Sequence, residues 1–123
     1  MSKVLVVEDE PNLQVLYKIE IEAMGHRVIC AADGRTAMER VRVEDPDLVV
    51  LDIMMPQGDG LHFLGEMLSD HYSVPVIINS AYSHYKSDFI TWAADAYVVK
   101  SSDVAELKSE ICRAFERRHV RCC

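Results

Sequence analysis

Asp47-Leu48-Val49-Val50-Leu51-Asp52-Ile53-Met54-Met55-Pro56 is the stretch whose reading decides the fold. Leu48, Val49, Val50 and Leu51 are consecutive apolar residues, two of them β-branched. They read as a strand buried on both faces. The run ends on a carboxylate, Asp52. A lone carboxylate is costly in the middle of an apolar strand, but at the C-terminal end it can face a solvent-accessible crevice. Pro56, Gly58 and Gly60 then stop the strand and open a loop.

Outward from this strand the same pattern repeats. Val4-Leu5-Val6-Val7 is another apolar run, ended by Glu8, Asp9 and Glu10. Pro11 fits the first turn of a helix, along which Leu13, Leu16, Tyr17, Ile21 and Met24 recur at helical spacing. Gly25 suits the position past that helix. Arg27-Val28-Ile29-Cys30-Ala31 reads as a strand. Asp33 can cap a helix that turns Ala37, Met38 and Val41 inward.

After a Gly58-Asp59-Gly60 loop, Leu61, Leu64, Met67 and Leu68 form a helical stripe. Val74-Pro75-Val76-Ile77-Ile78-Asn79 is a strand, with Pro75 tolerated near its start. Tyr85, Phe89, Trp92 and Ala93 suggest a weaker helix. Ala96-Tyr97-Val98-Val99 is a short strand ending at Lys100. Asp103 and Glu106 open a last helix, which buries Val104, Leu107, Ile111, Ala114 and Phe115. Strand and helix thus alternate five times along the chain. Such alternation predicts a mainly parallel α/β sheet covered on both faces, with functional groups beyond the strand C-termini.

The 123 residues suit one domain, residues 1–123, either whole or cut from a longer chain. Half of them are hydrophobic, and 27% are charged. No apolar run approaches the ~20 residues that span a bilayer, and no leader is visible, so the expected location is cytoplasmic with no membrane contact. The net charge of -7 argues against direct nucleic-acid binding by this domain. Arg113, Arg117, Arg118 and Arg121 suit a solvated helix end. Cys30, Cys112, Cys122 and Cys123 make no metal-binding spacing, and Cys30 reads as a small core residue.

The strand ends collect a particular set of side chains: Glu8 and Asp9, then Asp52, Ser80 and Lys100. Taken singly they have plainer readings as helix caps, a turn serine and a surface lysine. Placed together after successive strands, they assemble a different chemistry. Three carboxylates in one crevice repel one another, and a hard divalent cation such as Mg2+, or Mn2+ in its place, relieves that repulsion. Lys100 adds a mobile positive charge. A carboxylate beside a cation, a lysine and a hydroxyl is equipped to attack a phosphoryl group. Asp52 is the expected nucleophile. Asp9 would ligate the metal directly and Glu8 more distantly, with the backbone carbonyl of Met54 completing the shell. Lys100 and Ser80 would each hold a phosphoryl oxygen.

On these residues the chain resembles the receiver domain of two-component response regulators over essentially its whole length. The matching segments are Val6-Val7-Glu8-Asp9-Glu10, Leu51-Asp52-Ile53-Met54-Met55-Pro56 with Gly60, Ser80-Ala81, and Asp95-Ala96-Tyr97-Val98-Val99-Lys100. The resemblance implies a flavodoxin-like, doubly wound five-stranded sheet in the order 2-1-3-4-5, with the site at its switch point. It implies phosphotransfer to Asp52 from a histidine kinase or a histidine phosphotransfer protein, with magnesium required. It also implies a signalling domain rather than an enzyme, with at most slow self-catalysed phosphorylation and dephosphorylation.

In the family, the hydroxyl residue, here Ser80, moves toward the phosphoryl group, and the aromatic, here Tyr97, turns inward. The face made by the fourth helix, fifth strand and fifth helix then changes its preference for a downstream partner or for a second copy of the chain. Met54 and Tyr82 match positions that flank the hydrolytic water. Both are bulky, which implies slow self-dephosphorylation. Met54→Asn combined with Tyr82→Ala is expected to hasten decay of the phosphorylated form, measured by intact mass over time.

The chain departs from the family pattern in three places. Ser101 stands where proline usually follows the lysine, and a cis bond before a non-proline residue costs about 2.5–4 kcal/mol. Ala94 replaces a common glycine, and Glu8 replaces a common aspartate with its charge kept. The rival readings are a degenerate receiver that binds proteins without phosphate, and a phosphohydrolase using an aspartyl nucleophile. The first should lack an acid or the lysine, and the second needs an acid where Met54 stands. A flavin carrier would need a phosphate-cradling loop in place of Glu8-Asp9-Glu10-Pro11.

Overall fold

The computed structural model describes residues 2–53, 55, 59–70, 73–81, 95–100 and 104–117. Five strands are described: β1 (Lys3–Val7), β2 (Arg27–Ala31), β3 (Leu48–Leu51), β4 (Val76–Ser80) and β5 (Ala96–Val99). Four helices accompany them: α1 (Pro11–Glu22), α2 (Gly34–Glu44), α3 (Asp59–Ser69) and α4 (Ala105–Arg117), the last being the final helix of the sequence. The helix expected around Tyr85–Ala93 lies outside the described residues. So do Met54, Tyr82, Ala94, Ser101, Asp103, Arg118, Arg121, Cys122 and Cys123.

All the strand pairs are parallel, and the order is β2-β1-β3-β4-β5, as expected. Period-2 alternation sorts the side chains into two cores, one on each face. Val4, Val6, Leu48, Val50, Ile77 and Val98 meet α1 and α4 through Tyr17, Ile21, Leu107, Ile111 and Phe115. Leu5, Val7, Val49, Leu51, Val76 and Ile78 meet α2 and α3 through Met38, Val41, Phe63, Leu64 and Met67. No helix among the described residues is long and apolar enough to cross a membrane.

Local signals account for most boundaries. Asp33 accepts a 2.7 Å hydrogen bond from the Thr36 amide and caps α2, as its position predicts. Gly25 takes φ +96, which suits glycine in the turn after α1. Asp45 ends α2 in the left-handed region, a place where aspartate stands in for glycine.

Three details depart from the sequence reading. Gly60 lies in the first turn of α3 rather than in a loop. The stripe of α3 is rotated, so that Phe63 is fully buried and Leu68 is 45% exposed. Strand β4 runs two residues later at its start, because Val74 and Pro75 precede the ladder. Its last residue is Ser80, which pairs with Val99 rather than lying beyond the strand.

Candidate functional site

The register sets the site. Val7 of β1 pairs with Leu51 of β3, so the next residue along each strand is an acid, Glu8 beside Asp52. The ladder continues one step further: the Asp52 amide donates to Val7 O at 3.0 Å and the Glu8 amide to Ala31 O at 2.9 Å. Across the sheet the Lys100 amide donates to Ser80 O at 2.7 Å. Glu8, Asp52 and Lys100 continue the parity of Val6, Val50 and Val98, so all three belong to the α1/α4 face of the edge. Ser80 has the parity of Ile78 and Tyr97, on the α2/α3 face.

Glu8 is 2% exposed, Asp52 5% and Ser80 0%, while Asp9 is open to solvent. The Lys100 Nζ donates to Glu8 Oε1 at 2.6 Å and to Asp52 Oδ2 at 3.0 Å. One ammonium therefore serves two buried carboxylates. Burial pushes the Glu8 carboxyl up and the charge of Asp52 adds to the rise, against the opposing hydrogen bond from Lys100. Burial works to lower the Lys100 ammonium, but its hydrogen bonds to Glu8 and Asp52 and their negative charges outweigh it and raise the group.

The loops are tied down around these groups. The Glu10 amide donates to Glu8 Oε2 at 3.2 Å, and Gln14 Nε2 on α1 donates to the Glu8 carbonyl at 2.5 Å. Ile53 and Met55, both buried, anchor the chain just past Asp52 in the α2/α3 core. The start of α3 lies directly on this segment. A Cβ on Gly60 would stand 2.5 Å from Asp52 O and 2.9 Å from the Ile53 carbonyl carbon. Gly60 was visible in the sequence as a turn residue, but the reason for it is this close approach of helix to backbone.

One oxygen each from Glu8, Asp9 and Asp52 lies within 4.8 Å of the others. Ligand oxygens about 2.1 Å from an octahedral Mg2+ stand roughly 3.0–4.2 Å apart, a scale near the spread of these three oxygens. Hard carboxylate oxygens with open solvent for the remaining waters suit Mg2+. Of the expected site residues, Glu8, Asp9, Asp52 and Lys100 come together. Ser80 ends the neighbouring strand β4, Tyr97 is half-buried against the α2/α3 core, and Met54 and Tyr82 lie outside the described residues. The sequence reading took Tyr17 for an ordinary core residue. It missed that the α1/α4 layer also buries the polar Asn79, and that burial pushes the Tyr17 phenol up. The polar residue in an otherwise apolar strand was the available signal.

Fold and site together define a doubly wound α/β domain with an acidic, lysine-bridged crevice at the C-terminal edge of its sheet. The family model described as "Response regulator receiver domain" matches residues 4–112, and the chain belongs to that family. Among curated relatives, it is 32% identical over 123 residues to Regulatory protein AtoC of Escherichia coli, covering 98% of this chain and 27% of that protein. It is 39% identical to the probable transcriptional regulator ycf27 of Guillardia theta, covering 95% and 46%. The chain thus spans between about a quarter and a half of these relatives.

Among solved structures, it is similar to the response regulator TrrA of Thermotoga maritima in complex with Mg(2+)-BeF. The TM-score is 0.88 at 41% identity, covering 93% of this chain and 99% of that one. TrrA in complex with histidine kinase ThkA gives a TM-score of 0.85 at 41% identity, covering 93% and 98%.

Proposed function

We propose that residues 1–123 form one receiver domain that accepts a phosphoryl group on Asp52 from the phosphohistidine of a kinase or phosphotransfer protein. The observation that carries this reading is the Lys100 ammonium placed between Glu8 Oε1 and Asp52 Oδ2, at 2.6 and 3.0 Å. A cation already lies where charge must be neutralised. In the transfer, an Asp52 carboxylate oxygen attacks phosphorus and the bond to the donor's imidazole nitrogen breaks. The electron pair leaves with the imidazole, and the product is a mixed anhydride.

Mg2+, or Mn2+, would be held by Glu8, Asp9, Asp52 and the Met54 carbonyl, and when bound supplies the charge that lets three carboxylates and a phosphoryl group share the crevice. Lys100 turns from Asp52 toward a phosphoryl oxygen while keeping Glu8. Ser80, the last residue of β4, holds a second oxygen, and Tyr97 responds on the same face of the sheet. That response changes the surface around β5 and α4, to which a downstream protein, an attached effector domain or a second copy binds. The kinase complex of TrrA supports the donor class. The degenerate-receiver reading has the Ser101 departure behind it, but expects a lost acid or lysine, and Glu8, Asp52 and Lys100 are all in place.

Acetyl phosphate with Mg2+ tests the reading. Intact mass is expected to show one added phosphoryl group on the wild-type chain and none on Asp52→Asn. Labelling that persists in Asp52→Asn, or a wild-type chain that stays unmodified, sinks it.

A further inference from the structure

The three acids of the crevice are held in different ways. Glu8 and Asp52 are buried and bonded to Lys100, whereas Asp9 is exposed. An Asp9 oxygen nonetheless lies within 4.8 Å of oxygens from the other two. The direction of an exposed carboxylate on so short a side chain is set by the main chain that carries it.

One residue of α1 grips that main chain on both sides of Asp9. Gln14 Nε2 donates to the Glu8 carbonyl at 2.5 Å, and the Gln14 amide donates to the Glu10 carbonyl at 3.0 Å. The second bond is ordinary helix geometry, open to any residue but proline. The first depends on the side chain. Glu8 donates its amide to the carbonyl of Ala31, the last residue of β2. The ladder stops there, so the Glu8 carbonyl, on a buried residue, takes its donor from α1. That carbonyl belongs to a rigid planar peptide, which also carries the Asp9 nitrogen and Cα. Rotation of this peptide would swing the Asp9 side chain away from Glu8 and Asp52. The neutral amide of Gln14 grips the carbonyl without adding a charge that would compete with a cation for the acids.

We propose that Gln14 is a positioning residue whose side-chain amide holds the Glu8–Asp9 peptide, so that the exposed Asp9 carboxylate faces a divalent cation shared with Glu8 and Asp52. The proposal rests on the reading of these acids as metal ligands. Gln14 itself contacts neither the metal nor the phosphoryl group and acts through the main chain.

The test compares the wild-type chain with Gln14→Met, which keeps length and helix propensity but has no donor. Gln14→Asn, shorter by one methylene, is a second variant with the same expected outcome. Lys108→Met is the control, since it loosens α1 elsewhere by removing the Lys108–Glu20 ion pair. The measurements are the 13C′ shift of Glu8 without metal, the Mg2+ dissociation constant by NMR titration, and the rate of acetyl phosphate labelling over a Mg2+ series. Urea midpoints establish that each variant is folded under these conditions. The Gln14 variants are expected to shift the Glu8 carbonyl signal and to weaken Mg2+ binding about tenfold. They should label slowly at low Mg2+ and at the wild-type rate once Mg2+ saturates. Lys108→Met should match the wild-type chain in every measurement. An unchanged Mg2+ dissociation constant in the Gln14 variants overturns the proposal. So does a rate deficit that persists at saturating Mg2+, the mark of a purely structural role, and so does equal weakening in Lys108→Met. A wild-type chain that binds no Mg2+ overturns the metal-site reading itself, and the proposal with it.

Discussion

At the scale of the residue, Lys100 carries the electrostatic balance of the crevice. Its ammonium pairs with both Glu8 and Asp52. Removing one member of a buried ion group leaves the others charged and desolvated, which is worth about 3 kcal/mol. Lys100→Met is therefore expected to lower stability by about that amount in urea unfolding with a chelator present. Added Mg2+ should restore more stability to this variant than it adds to the wild-type chain, since the vacated carboxylates then favour the metal. Equal gains in both proteins would show that the metal and the lysine do not share the same charges. Residue types at the strand ends were enough to nominate this group. The two-carboxylate grip of one lysine was not, because it joins residues 92 and 48 positions apart.

At the scale of the element, α3 and the strand it follows are fitted backbone to helix. Gly60 lets the first turn of α3 rest on the Asp52–Ile53 peptide, and a methyl group there overlaps main-chain atoms that cannot swing aside. Gly60→Ala is expected to cost about 1–3 kcal/mol as overpacking, read from urea midpoints. It should also slow acetyl phosphate labelling, because the displaced atoms carry Asp52. A stable variant with unchanged labelling would show that the loop absorbs the methyl. The hydrophobic period placed α3 correctly but set its buried face one residue off. Leu61 and Leu68 are as apolar as Phe63, and only packing against α2 and the sheet distinguishes them.

At the scale of the whole molecule, the last helix is docked partly through an aromatic contact at the opposite edge of the sheet. His26 precedes β2, is 4% exposed, and stacks on Phe115 of α4 with ring centroids 4.6 Å apart. Its Nδ1 is 2.7 Å from Ser2 Oγ, and its Nε2 has no partner among the described residues. Burial lowers the imidazole from its usual 6.5, with Asp47 pulling partly the other way. The folded form thus binds the proton less readily than the unfolded one. Stability from the neutral ring is full above about pH 6.5 and is lost as pH falls through the lower folded value. The thermal midpoint is expected to drop between pH 7 and 5, and His26→Phe should flatten that part of the curve. Parallel curves for the two proteins would remove His26 as the cause.

The sequence by itself determined the alternation of strand and helix, the parallel sheet, the acids and the lysine at strand ends, and the cap at Asp33. These follow from burial period, chain-breaking residues and local hydrogen bonds, all of which act within a few positions. Tertiary structure alone decided which strand-end side chains share a face, which carboxylates grip Lys100, and why residue 60 has no side chain. Those outcomes depend on register between strands distant in the chain. Moving a strand by a single residue would turn every one of those side chains to the other face of the sheet.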